Sequence, residues 1–139
     1  TRRATLAEKV RREGAVVAAD AFLPRLLGET TQKEHPEVGT RLRARILATS
    51  PQGIADALAG LAARADSSPT LREVRVPTLV VCGAEDVLTP LADSEAIQKG
   101  VAGSRLEVIP RAGHLANLEN PAAYDAALLS FLGRVASRR

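Results

Sequence analysis

Asp86 and His114 are the residues of this chain whose types and settings suit proton-transfer chemistry. Asp86 lies three residues beyond Gly83, which stops the apolar run 78–82; His114 lies five residues beyond Ile109, the end of the run 106–109. An imidazole titrates near neutrality. With a carboxylate holding one ring nitrogen, it can take a proton from a nucleophile or from water. Each residue alone has a plainer reading. Aspartate is common in turns because its carboxylate accepts from nearby amides, and a lone loop histidine is more often an inert surface group. The pairing changes the balance. The two are 28 positions apart (114 − 86), which is room for one helix and one strand. Neighbouring strands stand about 4.8 Å apart, so two loops leaving one sheet edge can bring both side chains to one spot. That edge, beyond the carboxyl ends of parallel strands, is where sites in open sheets form. An acid and a base of this kind are two members of a catalytic triad.

The elements that must hold them follow from pattern. Up to about Asp66 the chain reads as helical. Thr5-Leu6-Ala7-Glu8 fits a capping box, and Leu6, Val10, Val17 and Ala21 keep helical spacing, interrupted at Gly14. Pro24 is expected to end the second helix or begin a short turn. The polar stretch 28–34 reads as a loop. Pro36 suits the first turn of a helix carrying Val38, Leu42, Ile46 and Leu47. Ser50-Pro51 suits a cap followed by a new helix with Ile54, Leu58, Leu61 and Ala62 on one side.

From Ser67 the grammar changes. Ser67-Ser68-Pro69 is a connector, and the run 78–82 lacks polar alternation, as in a strand covered on both faces of a parallel sheet. A helix is expected over 91–99, a second strand over 106–109, and a last helix from Asn120-Pro121 to about Val135. On that last helix Tyr124, Leu128, Leu129, Phe131 and Leu132 are expected to face inward. Strand–helix–strand–helix demands a parallel pair with a right-handed crossover. Two strands alone make no stable α/β sheet, so further strands are expected from elsewhere.

Composition narrows the classes. The 139 residues allow one ordinary domain with a core, and 45% hydrophobic with 25% charged residues suits a globular protein. Three aromatics (Phe22, Tyr124, Phe131) argue against a base-stacking nucleic-acid surface. The net charge of +3 is modest, with arginines scattered and a small excess at the ends (Arg2, Arg3, Arg138, Arg139). One cysteine excludes an internal disulfide framework and a Cys/His zinc cluster. No run approaches the ~18 apolar residues of a membrane span, and no secretory signal is visible. Neither metal nor organic cofactor, membrane nor nucleic acid is expected, in a cytoplasmic setting.

Around both residues the chain resembles the α/β-hydrolase superfamily. Gly83-Ala84-Glu85-Asp86-Val87-Leu88-Thr89-Pro90 is similar to its Gly-x-x-Asp-x-x-x-Pro acid loop. Gly113-His114-Leu115-Ala116-Asn117-Leu118-Glu119-Asn120-Pro121 is similar to its Gly-His-x-x-x-x-Glu-x-Pro histidine loop. The order acid then histidine matches the back of the family's Ser…Asp…His order. The resemblance is specific over 74–132 and diffuse before about residue 70, and is nearest to the lactonase-like and esterase-like branch. It implies an α/β fold: a helical cap region over 1–69, then over 70–139 the C-terminal part of the hydrolase core with a parallel strand pair. It implies that Asp86 holds Nδ1 of His114, that His114 shuttles the proton, and that the substrate is a small ester or lactone. None of the seven serines (Ser50, Ser67, Ser68, Ser94, Ser104, Ser130, Ser137) stands in Gly-x-Ser-x-Gly. In the family that element and the oxyanion-hole loop lie upstream. The chain is therefore expected to be a C-terminal fragment, inactive alone, whose partner is the missing N-terminal half of the core or a second copy of itself.

Val87 and Leu115 adjoin the pair and are candidates to line the substrate pocket; core packing serves them equally. Glu119 suits bracing of the histidine loop or of the last helix's amino end. Leu23, Leu26 and Leu27 suit an apolar roof or plain packing. Cys82 reads as a small core residue and His35 as surface. Two other readings stay open: a binding or self-associating module without turnover on the same scaffold, and a dehalogenase or epoxide hydrolase whose nucleophile is aspartate.

Overall fold

The structure, a computed structural model, describes residues 2–137. Arg138 and Arg139 of the basic ends lie outside the described residues. In chain order the helices are α1 (Arg2–Glu13), α2 (Val16–Leu26), α3 (Glu29–Glu34), α4 (Pro36–Ala48) and α5 (Pro51–Ala63). A 3-10 helix at Ser68–Glu73 leads to β1 (Leu79–Gly83), α6 (Leu91–Gly100), β2 (Arg105–Ile109), α7 (Ala116–Glu119) and α8 (Pro121–Ala136).

The chain forms two compact units. One joins the chain up to Pro24 with Pro36–Asp66; the other joins Arg25–His35 with everything from Ser67 onward. Arg25–His35 thus groups with the strands although helices flank it in sequence.

The helical unit is built around Ala7, Val10, Ala18, Ala55 and Leu58, with Leu6, Val17, Phe22, Ile46 and Ile54 packed on them. Three of the five buried residues are alanines, so α1 and α5 approach closely with few large side chains to fit between them. Burying a Leu or Val side chain contributes about 1.5–3 kcal/mol. Gly14 takes φ +91° between α1 and α2, a conformation that costs glycine little. Ser50 caps α5 by accepting from the Gly53 amide, as its place before Pro51 suggests. The capping box does not form. Helix already runs from Arg2, so Thr5 and Glu8 lie inside α1. The extra turn is tied down by Arg3, whose Nη1 donates to the Leu61 carbonyl near the end of α5, where cations are favoured. Leu47 and Leu61 of the expected stripes are exposed.

In the second unit β1 and β2 pair in parallel, with Leu79 opposite Arg105 and Gly83 opposite Ile109. The pairing continues past the strands: Ala84 donates to the Ile109 carbonyl and Glu85 to the Ala112 carbonyl. The acid and histidine loops thus leave the same end of adjacent strands. β1 is buried or half-buried throughout, while β2 is exposed at Arg105 and Val108. Ile109, Ala112 and Ala116 form the core here, covered by Val81, Ala123, Tyr124 and Ala127. Asn120 anchors α8 from both sides: its Oδ1 accepts from Ala123 and its Nδ2 donates to the Pro110 carbonyl.

Three expectations fail in this unit. α2 continues past Pro24 to Leu26, whose carbonyl, orphaned at the helix end, accepts from the His114 amide at 3.1 Å. The stretch expected as a loop contains α3, because Glu85, 55 residues away, accepts from the Thr30 amide and hydroxyl in its first turn. On α8, Leu128, Leu129 and Leu132 are exposed, Leu129 at 68%. The helix has apolar residues on more than one face, and the face packed on the core carries Ala123, Tyr124 and Ala127.

Candidate active site

Both ends of the acid loop are set by backbone constraints. Gly83 closes β1 where a side chain would collide with the carbonyls of Ala112 and Gly113, so only glycine lets the two loops lie so close. Beyond it the loop folds onto its own aspartate. Asp86 Oδ1 accepts from the amides of Leu88 (2.8 Å) and Thr89 (2.9 Å). Its Oδ2 accepts from the Thr89 hydroxyl (2.6 Å) and faces His114 Nδ1 at 2.9 Å. The Asp86 side chain is only 4% exposed. Burial pushes its carboxyl up, but the Thr89 hydroxyl and amide, His114 and the Leu88 amide together outweigh it and hold the carboxyl below its ordinary value.

The histidine loop is held by a second carboxylate. Glu119 Oε1 accepts from the amides of Gly113 (2.9 Å) and Leu115 (3.1 Å), which bracket His114, and Oε2 accepts from the Gly28 amide (2.7 Å). Gly28 and Gly113 lie backbone to backbone, since a side chain on Gly113 would meet the Gly28 amide. His114 is therefore fixed through main-chain atoms on both sides, by its own loop and by the segment that ends α2.

An ionised carboxylate only accepts, so the proton on the His114–Asp86 bond sits on Nδ1, and in the neutral ring Nε2 is then an acceptor. Nε2 is then the nitrogen that can take a proton from a nucleophile or water, with the imidazolium stabilised behind it. The His114 side chain is 32% exposed, open to such a partner. A cavity of about 240 Å³ adjoins the pair, lined among others by Asp86, Thr89, Ser94, His114, Asn117 and Tyr124.

Of the residues singled out in the sequence, Asp86 and His114 are brought together. Val87 is 61% exposed and Leu115 half-buried; neither lines that cavity. Glu119 braces the histidine loop. Leu27 is buried, Leu23 and Leu26 are half-buried, Cys82 is buried and His35 is exposed. Sequence reasoning passed over Thr89, which touches both members of the pair, although an aspartate followed two and three residues later by amides it can accept from is a known turn pattern. It also passed over Glu85 and Thr30, whose contact across 55 residues leaves no local trace.

Known proteins resemble the chain over most of its length. A family model described as "Alpha/beta hydrolase family" matches residues 2–127. The chain is 30% identical over 128 residues to 3-oxoadipate enol-lactonase 2 of Acinetobacter baylyi, covering 92% of this chain and 47% of the relative. A thermophilic esterase from Thermogutta terrifontis superposes with a TM-score of 0.92 at 40% identity, covering 96% of this chain and 49% of the esterase. The enol-lactonase of Burkholderia xenovorans gives 0.85 at 29% identity, covering 93% and 49%. The chain spans about half the length of these relatives. Strand pair, loop chemistry and similarity converge: this chain belongs to the α/β-hydrolase family.

Proposed function

We propose that this chain carries the acid–base half of a hydrolytic triad acting on a small ester or lactone. Asp86 orients and charge-stabilises His114. His114 Nε2 takes the proton of a nucleophile and returns it to the leaving group or draws it from water. The observation that carries this is the 2.9 Å contact between Asp86 Oδ2 and His114 Nδ1 at the shared end of two parallel strands. The similar esterase and enol-lactonases support the substrate class. In this reading the nucleophile is supplied outside these 139 residues, since none of their serines stands in Gly-x-Ser-x-Gly. The chain would be inactive by itself, residues 1–69 would be the helical cap region, and Val87 and Leu115, next to the pair in sequence, would contact the acyl or leaving group.

Complementation tests the proposal. Joined with the half of the similar Thermogutta terrifontis esterase that it does not cover, the chain should hydrolyse p-nitrophenyl esters or an enol-lactone. His114→Ala should lower turnover by about 10³-fold or more, as removal of a triad member does. Turnover unaffected by that substitution would refute the assignment. A second reading, a self-associating module without turnover, draws on the exposed Leu128, Leu129 and Leu132 of α8. Light scattering that finds a monomer at high concentration removes it.

A further inference from the structure

The contacts around the Asp86 carboxylate include one that the acid–base pair does not itself require. Thr89 Oγ1 lies 2.6 Å from Asp86 Oδ2 and 3.1 Å from His114 Nδ1, and Nδ1 lies 2.9 Å from the same Oδ2. Hydroxyl, carboxylate oxygen and ring nitrogen form a closed triangle. The geometry points to Thr89 as a positioning residue for the pair: its hydroxyl fixes the carboxylate rotamer and confines the imidazole proton to Nδ1. The inference rests on the acid–base reading of Asp86 and His114.

Donor and acceptor counting sets each role. The carboxylate offers only acceptors, so the Thr89 hydroxyl spends its single proton on Oδ2. Its oxygen lone pairs then face Nδ1. A ring nitrogen bearing hydrogen meets two acceptors there, Oδ2 and Oγ1; a bare one would meet a hydroxyl whose proton is already committed. The arrangement therefore favours the tautomer with hydrogen on Nδ1 and keeps Nε2 free to accept. The Thr89 amide donates to Oδ1 in the same residue's span, so one residue grips both oxygens of the carboxylate. Asp86 has four donors around its two oxygens, two amides on Oδ1 and a hydroxyl and an imidazole on Oδ2. The lowered carboxyl of Asp86 accords with this. Serine preserves the hydroxyl, and valine preserves the shape and the amide while removing it.

The test uses the 139-residue chain itself, labelled with 15N and 13C, and needs no substrate. The 15N shifts of the His114 ring report the tautomer, and the Asp86 carboxyl carbon reports its titration. In Thr89→Val the share of the Nδ1–H tautomer should fall and the Asp86 midpoint should move upward; Thr89→Ser should restore both. Should valine perturb the fold, Thr89→Ala at this exposed position should show the same two changes. A valine or alanine variant indistinguishable from the parent, or a serine variant that fails to restore it, overturns the role of Thr89. Asp86→Asn separates the two levels of the argument. If it leaves the His114 tautomer unchanged, the pair itself is refuted; if it shifts the tautomer while Thr89→Val does not, only the positioning role is.

Discussion

The helical unit and the strand-bearing unit are stabilised by different means. The first buries Val10, Leu58 and a set of alanines, and its ion pairs, Arg43 with Asp20 and Arg11 with Asp56, are exposed at the surface. The second has a small apolar core and invests in carboxylates that take up backbone amides: Asp86 in its own loop, Glu85 on α3, and Glu119 on both sides of His114. Apolar packing tolerates small shifts, because a side chain displaced by a fraction of an ångström keeps most of its buried area. A carboxylate bound to amides does not, because hydrogen bonds weaken steeply with distance and angle. The unit that sets an imidazole beside a carboxylate is the one built with directional bonds.

Substitutions can break this contrast or sharpen it. The largest effect is expected in the helical unit, where Leu58→Ala should destabilise by about 2–5 kcal/mol in chemical denaturation, as buried leucines do. Glu119→Gln should cost about 2 kcal/mol, since one of its oxygens becomes a donor facing donors. Amide exchange in that variant should rise at Gly28, Gly113 and Leu115 and stay unchanged at Val10. A uniform rise across both units would show that the two kinds of support are not separate.

The third effect depends on pH. The folded chain holds the Asp86 carboxyl below its unfolded value, so the unfolded state binds protons first as acid is added. The stability Asp86 contributes is present above the unfolded value of about 3.8 and is lost as pH falls through the lower folded value. Acid unfolding of Asp86→Asn should accordingly show a shallower limb below about pH 4 than the parent. A parallel limb would mean that the carboxylate is not selectively held. The smallest effect is expected from Arg43→Ala, whose exposed pair with Asp20 should be worth less than about 1 kcal/mol by thermal melting.

The pair was legible in the sequence because each member follows a short apolar run at a distance a loop can span. The strand–helix–strand order was legible for the same reason, since the unbroken run 78–82 and the glycine after it are local signals. What stayed hidden was whatever depends on residues far apart. α3 carries no apolar stripe, and its start is secured by Glu85 from another loop. The last turn of α2 survives Pro24 where the His114 amide meets the Leu26 carbonyl. On α8 the period of leucines was clear, but several faces are apolar, and only the position of Ile109 and Ala112 decides which one is covered. Thr89 looked like one more loop residue because its importance lies in a nitrogen 25 positions away.

Glu119 grips peptide N–H groups and no side chain of the loop it braces. The identity of residue 115 is thereby uncoupled from the aim of its neighbour. Any residue but proline at that position keeps the amide that Glu119 holds, so its substitution should leave the approach of His114 to Asp86 in place.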